Sequence, residues 1–399
     1  MPNSVFRRPV ARWAVPATVA TAVVGAAVAV PLIAGADSEL PDRTAAELLV
    51  DLASIDLEPF AGTVVQSAEF GLPELAPVSG AEADSFAAAA MSLLRGSSTA
   101  RIWYTDGDTY RLALQDELAE SDLVRDGEDL WFWSSAHNTA SHLTLDEETA
   151  AEIEPGTHGP SGLPGLPGGD GEEGLPEGAT SVPTAAAAFA LQAIAPSTQV
   201  DVDGTATVAG RAAYELVVRP RDEQSLIGSI RLAIDGENSM PLRVQIFDRD
   251  GGDPAFEVGF TSVTFSEPEA SVYDFSPPPG TETEEIDPSE LTAPKEQLPP
   301  PAGEFDPNAV SVVGGGWSSV AVLRGVDVDE VMTSLDADAV ALAESMLSGF
   351  EDVSGAYGTG QALTTDLCSV LLLDDGRLLV GAVPLEVLEE AAMDPAAAL

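Results

Sequence analysis

The side chains able to do chemistry are numerous, but their spacing builds no catalytic centre. Sixty-six Asp and Glu residues stand against 17 Lys and Arg, a formal charge of -49 over 399 residues. Glycoside hydrolysis asks for two opposed carboxylates, and no such pair stands out among the acids. Three histidines, His137, His142 and His158, lack the spacing and the Cys partners of a zinc site. His142 falls within a strand pattern, where a surface residue is expected rather than a base. No G-x-S-x-G elbow presents a nucleophile. Gly314-Gly315-Gly316 is not followed by Lys-Ser or Lys-Thr, so it is not a phosphate loop. Asp201-Val202-Asp203-Gly204 and Asp248-Arg249-Asp250 have calcium-loop spacing but no closing Glu, and both read as hairpin turns. Cys368 is alone, which removes intrachain disulfides. The expectation is a binding protein rather than an enzyme, with no metal and no cofactor.

The charge narrows the partners. Sixteen of the 17 basic residues are Arg, and Lys295 is the one Lys. Such an acidic field repels phosphate backbones, so nucleic acid is not expected as a partner. At the N-terminus, Arg7, Arg8 and Arg12 precede an uncharged run over 13–36, and Asp37, Glu39 and Asp42 follow it. The positive flank stays inside, which places the body outside the cytoplasmic membrane, secreted or in the envelope. At about 1.5 Å per residue the run reaches roughly 36 Å, enough to anchor the chain in the membrane. Ala34-Gly35-Ala36 is also an A-x-A cleavage signal, and Pro31 breaks a helix just before it. Cleavage after Ala36 is the preferred reading, with an uncleaved anchor as the alternative.

Two stretches read as linkers. The first, 155–183, is rich in Gly, Pro and Glu, with Gly159, Gly162, Gly165, Gly168, Gly171 and Gly174 on a collagen-like period. Six triplets are few, so a flexible inserted loop is expected. The second, 277–308, is Pro-rich, acidic and without apolar period, hence extended and solvated.

Between them the pattern is mostly β. Thr44 and Glu47 form a capping box for an amphipathic helix through Leu48, Leu49 and Leu52. A strand is expected at 62–67, then a short helix over 83–95, then strands at 99–105, 109–115, 122–125, 130–134 and 139–145. Tight turns are marked by Asp106-Gly107-Asp108 and Asp126-Gly127-Glu128. Ser181 and Pro183 start a further helix through Leu191 and Ile194. A second meander spans 199–265, with turns at Asp203-Gly204, Asp235-Gly236 and Asp250-Gly251. The two meanders share one unit, 37–276, with the Gly/Pro loop between its halves. Residues 309–399 read as a small α+β domain: a strand at 317–323, a helix over 329–348, a hairpin of 363–374 with 377–384, and a helix over 385–392.

Several strands are apolar on both faces. Leu130-Trp131-Phe132-Trp133 is the sharpest case, and Ile102-Trp103-Tyr104 is another. One face of an antiparallel sheet normally meets water, so something must cover each face here. Composition by itself favours helices on one side and the C-terminal piece on the other. An apolar cavity for a lipid tail is the competing account.

Val124-Arg125-Asp126-Gly127-Glu128-Asp129-Leu130-Trp131-Phe132-Trp133 resembles the "DG-x-x-LW-aromatic" hairpin of the LolA-like lipoprotein carriers (LolA/LppX/RseB-like, here actinobacterial-type with a C-terminal extension). The preceding helix and Phe60-Ala61-Gly62-Thr63 fit the start of that family. Val208-Ala209-Gly210-Arg211, Tyr214-Glu215-Leu216, Ile234-Asp235, Pro241-Leu242-Arg243 and Phe275-Ser276-Pro277-Pro278 follow in the family's order. The resemblance covers about residues 44–280. It implies an α+β fold: a curved antiparallel half-barrel closed by helices around a cavity that holds acyl chains, plus the small C-terminal α+β domain. By position, Tyr110, Leu112 and Leu114 correspond to cavity-facing strand residues. Trp103, Leu130, Trp131, Phe132 and Trp133 join them as candidate wall residues. The Arg-Pro that such carriers usually place before this strand is replaced by Asp106-Gly107-Asp108, so the family's latch is not carried over.

A half-barrel followed by a small domain is also the layout of the RseB-like branch, which senses lipids and binds an anti-sigma factor. Three readings follow. A carrier would hold a lipid or acylated protein and meet a membrane transporter. A regulator would bind an anti-sigma factor or other envelope protein. An envelope structural protein would show a filled core.

Overall fold

A computed structural model of the chain describes residues 40–71, 96–115, 119–136, 138–145, 195–286, 310–328, 332–333 and 347–394. The N-terminal segment, the helices expected at 83–95 and from 183, the Gly/Pro loop, most of the helix expected over 329–348, His137 and His158 lie outside these residues.

The first helix forms where its cap says it should. Helix α1 (Ala45–Ala53) opens at Thr44, whose side chain accepts from the Glu47 amide while the Glu47 carboxylate accepts from the Thr44 amide at 2.7 Å. The Thr44 backbone N–H, then its hydroxyl, hold the Glu47 carboxyl below the usual range. Leu48 is fully buried against Tyr214, Leu216 and Ile234, with Leu49, Leu52, Val200 and Val202 around them. Burying one such leucine contributes about 1.5–3 kcal/mol. The Tyr214 hydroxyl donates to the Pro41 carbonyl at 2.8 Å, which ties down the segment ahead of α1.

The architecture is mostly β, with a large curved antiparallel sheet that does not close. Its strands are β1 (Phe60–Ala68), β2 (Gly96–Asp106), β3 (Thr109–Gln115), β4 (Glu120–Asp126), β5 (Asp129–Ser134), β6 (Thr139–Thr144), β7 (Thr198–Val208), β8 (Arg211–Pro220), β9 (Ile227–Asp235), β10 (Pro241–Asp248), β11 (Phe256–Thr264) and β12 (Glu282–Ile286). Their order is β12-β6-β5-β4-β3-β2-β1-β11-β10-β9-β8-β7. Each meander is local, and the two meet where β1 pairs with β11. Gly62 permits that joint: a Cβ there would stand 2.7 Å from the Phe260 ring and 2.8 Å from the Ser262 carbonyl.

Two expectations about this sheet are corrected. Asp203-Gly204 is not a hairpin turn but an irregularity inside β7, where the pairing with β8 shifts between Val202 and Thr205. The same dipeptide serves either purpose, because a bulge and a tight turn both ask for the positive φ that Gly204 adopts at +83°. The reversal itself is at Ala209-Gly210, with φ of 51° and 77°. The stretch read as a solvated linker contains β12, which pairs in parallel with β6. Its side chains Glu282–Glu285 are exposed, so the apolar pattern gives no sign of it.

Two hairpin turns are sewn together by one residue. Arg125, with a side chain only 5% exposed, donates to the Gly107 carbonyl at 3.1 Å, the Gly127 carbonyl at 3.3 Å and the Asp108 carboxylate at 2.5 Å. Arg125→Met is expected to lower stability by about 1–2 kcal/mol, measured by urea unfolding, since the freed carbonyls lose a charged donor and Asp108 returns to water. A midpoint equal to wild type would show the turns hold without it.

The smaller sheet has the order β13-β14-β18-β17-β16-β15: β13 (Val310–Val313), β14 (Val320–Leu323), β18 (Leu378–Gly381), β17 (Ser369–Leu373), β16 (Gly358–Thr364) and β15 (Glu351–Gly355). Helix α2 (Leu385–Ala392) lays Leu388, Ala391 and Ala392 on a core of Val320, Val322, Leu371, Leu373 and Leu379. Two boundaries differ from expectation. Residues 316–318 form a 3-10 turn ahead of β14, and 363–374 is two strands rather than one. The break falls where the Thr365 hydroxyl accepts the amides of Leu367 and Cys368 and its N–H donates to the Cys368 carbonyl, a local turn that competes with the ladder.

The sheets touch through polar bonds: Trp317 Nε1 to Thr198 Oγ1 at 2.8 Å, Leu226 N–H to the Ala382 carbonyl at 2.8 Å, and Asp366 N–H to the Phe70 carbonyl at 3.0 Å. The Ser318 hydroxyl holds the Asp222 carboxyl below its ordinary range, helped by the Gln224 amide.

Candidate ligand-binding face

Alternation along each strand and register between strands assign every side chain to a face. Leu112 pairs with Ile102 on β2 and Leu123 on β4, and Leu123 pairs with Phe132 on β5. Ile102, Leu112, Leu123 and Phe132 therefore form one row. A second row runs Phe60, Tyr104, Tyr110, Arg125, Leu130 and Leu143. Leu114 stands in a third, opposite Ala100 and Ser121. The face continues through Val64, Phe260, Val258 and Val244 to Leu232 and Leu216, where α1 packs.

Burial along this face is uneven. Under α1, Tyr214, Leu216 and Ile234 are at most 4% exposed. Towards β2–β5, Ile102, Tyr110, Leu112, Leu114, Leu123, Leu130 and Phe132 are all half-buried. Phe60 stacks on Tyr104 with centroids 5.5 Å apart and meets Phe260 edge-on at 6.0 Å. Burial, reinforced by Asp106 and Asp56, raises the Tyr104 hydroxyl's pKa, so it stays neutral. Such a surface offers methylene contacts and few charges. An acyl chain laid on it would gain about 0.8 kcal/mol per buried CH₂.

The eight residues singled out from the sequence divide between the two faces. Tyr110, Leu112, Leu114, Leu130 and Phe132 share the α1 face. Trp103, Trp131 and Trp133 point the other way, because each alternates with them, and so leave that wall. On their side, Arg101 and Arg111 lie 4.7 and 5.5 Å from the Trp103 ring centroid. Trp131 stacks on His142 at 4.1 Å and meets Phe275 at 5.5 Å. The strand end at Phe265 leads into a strap that crosses this face: the Val272 carbonyl accepts from Arg111 Nη1 at 3.0 Å, and Tyr273 bonds Thr105 at 3.0 Å. Two apolar faces thus arise for two reasons, since on the tryptophan side a strap of the same chain packs Phe275 on Trp131 and bonds Arg111 and Thr105.

His142 is not the surface residue expected. Its side chain is 14% exposed, and its ring nitrogens face Glu285 at 2.6 Å and Asp129 at 2.8 Å, which fastens β12 to the sheet. Among the described residues no group of three His, Cys, Asp or Glu is placed to hold a metal ion. No helix among them is long and apolar enough to cross a membrane.

One pair on the α1 face escaped the sequence reading. Gln66 is 5% exposed between Val64 and Ala68, and its Oε1 accepts from the Ser98 hydroxyl at 3.0 Å. Its Nε2 is buried with no partner. The signal was present: alternation puts Gln66 where an apolar residue belongs.

A family model described as the MucB/RseB N-terminal domain matches residues 178–296. No curated protein matches the chain. Among solved structures, the chain is similar to MucB in complex with the periplasmic part of MucA (TM-score 0.39, 16% identity, 87% of this chain and 97% of that one). It is similar to the MucA/MucB complex of Pseudomonas aeruginosa (TM-score 0.39, 16% identity, 88% and 97%). It is also similar to a LolA superfamily protein of Nitrosomonas europaea (TM-score 0.21, 10% identity, 59% and 99%).

Proposed function

We propose that this chain, which is LolA/RseB-like with its family match over residues 178–296, is an extracytoplasmic binding protein that holds acyl chains against the α1 face of its large sheet. One observation carries the reading. Tyr110, Leu112, Leu114, Leu130 and Phe132 share one mostly apolar face and are half-buried, while the same face under α1 is filled. Export is supported by Arg7, Arg8 and Arg12 ahead of the uncharged run over 13–36, which is read as a cleaved signal or, alternatively, an anchor. The ligand is a lipid or the acyl groups of a modified protein, and a carrier of this kind would pass it from or to a membrane transporter.

Titration of the purified protein with a fluorescent fatty acid tests this. Saturable uptake displaced by an unlabelled long-chain fatty acid is expected. Emission that never rises above that of the probe in buffer would remove the reading.

A second reading is favoured by the family match. In an RseB-like regulator the same domain would bind an anti-sigma factor or another envelope protein, with the acyl ligand as the signal. The solved complexes named above pair MucB with MucA. Co-purification of an envelope protein that leaves when acyl ligand is added would favour the regulator over the carrier.

A further inference from the structure

We propose that Gln66 is the polar anchor of the acyl site and that it donates a hydrogen bond to the carbonyl oxygen of an ester-bearing acyl ligand. The proposal rests on the acyl-chain reading above and adds to it the chemistry of the ligand's polar end. Register puts Gln66 opposite Ser98 on β2 and Val258 on β11, so its amide stands on the apolar face shared with Leu112. The Ser98 hydroxyl donates to Oε1 at 3.0 Å, which commits the oxygen end of the amide. What remains is Nε2, with two hydrogens, buried and without an acceptor. A buried donor left unpaired is unfavourable. Arg125 on this face is committed to the Gly107 and Gly127 carbonyls and Asp108, and against the remaining methyl groups and rings the atom that matches Nε2 is an oxygen that only accepts. Pockets for apolar ligands fix orientation with a few such groups, and an ester carbonyl is an acceptor carried on a long hydrocarbon without a charge to desolvate.

The test compares a long-chain methyl ester with the alkane of equal length, each displacing a fluorescent fatty acid from the full protein. Wild type is expected to prefer the ester by about tenfold, the range of one well-made hydrogen bond. In Gln66→Met, which keeps the volume and removes the donor, the preference should fall to about one while alkane affinity stays the same. Should Gln66→Met fail to fold, Ser98→Ala serves instead: with Oε1 released, the preference should drop at least threefold. A wild-type preference near one, or an unchanged preference in the variants, overturns the anchor while leaving the acyl site standing. Displacement by neither probe would overturn the acyl site and the anchor together.

Discussion

Leu112→Glu is expected to weaken acyl-chain binding by at least about 100-fold while leaving the protein folded. Leu112 sits mid-row between Ile102 and Leu123, with Phe132 beyond, on the half-buried part of the apolar face. An empty site lets a glutamate at this position keep some water, so stability should stay within about 1 kcal/mol of wild type. A bound acyl chain would remove that water. Desolvating an unpaired carboxylate costs several kcal/mol, and each 1.4 kcal/mol is a factor of ten. Gln115→Glu makes the control, because Gln115 is exposed and alternates onto the other face. It should bind as wild type does. Displacement titration and a thermal melt on both variants decide the matter: wild-type affinity in a Leu112→Glu protein of native stability would mean that no acyl chain lies on this row.

How far the sequence carried this picture depends on what kind of signal each element left. Strand β3 and helix α2 were legible to the residue, because Thr109–Gln115 is bounded by an Asp-Gly turn and Leu385–Ala392 carries helical spacing after a proline. Tyr110, Leu112 and Leu114 were picked out by their place in the family resemblance, and their period of two is consistent with the one face they share. The facing of Leu130 against Trp131 did not, because four consecutive apolar residues erase the alternation that would tell the faces apart. Their separation depends on what lies opposite: Phe275 and the strap on one side, the helix side of the sheet on the other. Strand β12 was hidden for a different reason. Glu282-Thr283-Glu284-Glu285 has no apolar pattern, and its place is set by backbone pairing with β6 and by Glu285 meeting His142. Gln66 was overlooked although its phase with Phe60, Val64 and Ala68 marked it, and its burial and its Ser98 partner come only from the fold.

Asp235→Ala is expected to lower stability by about 3 kcal/mol, the largest loss from a single polar side chain in the large sheet. The residue closes the β9–β10 hairpin and is 1% exposed. Its Oδ1 accepts the amides of Glu237 at 2.8 Å and Asn238 at 3.2 Å, and Arg211 clasps both carboxylate oxygens, one through Nε and the other through Nη2 at 2.9 Å. Burial works to raise the Asp235 pKa, but Arg211 and the two amides outweigh it and hold the carboxyl below its ordinary range. The Asp235 bond raises the Arg211 pKa in turn and outweighs burial, which lowers it. Breaking a buried pair leaves stranded partners and costs about 3–5 kcal/mol. The lower figure applies because Arg211 keeps Glu237 at 2.8 Å and is partly exposed.

The same pair gives a pH dependence of known sign. A carboxyl depressed by folding stabilises the protein above its unfolded pKa, near 3.9, and that contribution fades as pH falls through the lower folded value. Urea unfolding at pH 7 and below pH 4 should therefore show Asp235→Ala far less stable than wild type at the higher pH and closer to it at the lower. A difference that does not change across this window would mean that charge is not what Asp235 contributes.

Whether the α1 face holds acyl chains is tested most directly by native mass spectrometry of the purified protein. A mass above that of the polypeptide is expected, falling back after solvent extraction, with acyl-bearing lipids recovered in the extract. A spectrum at the bare polypeptide mass, from protein that also stays bare after incubation with a long-chain ester, would contradict it.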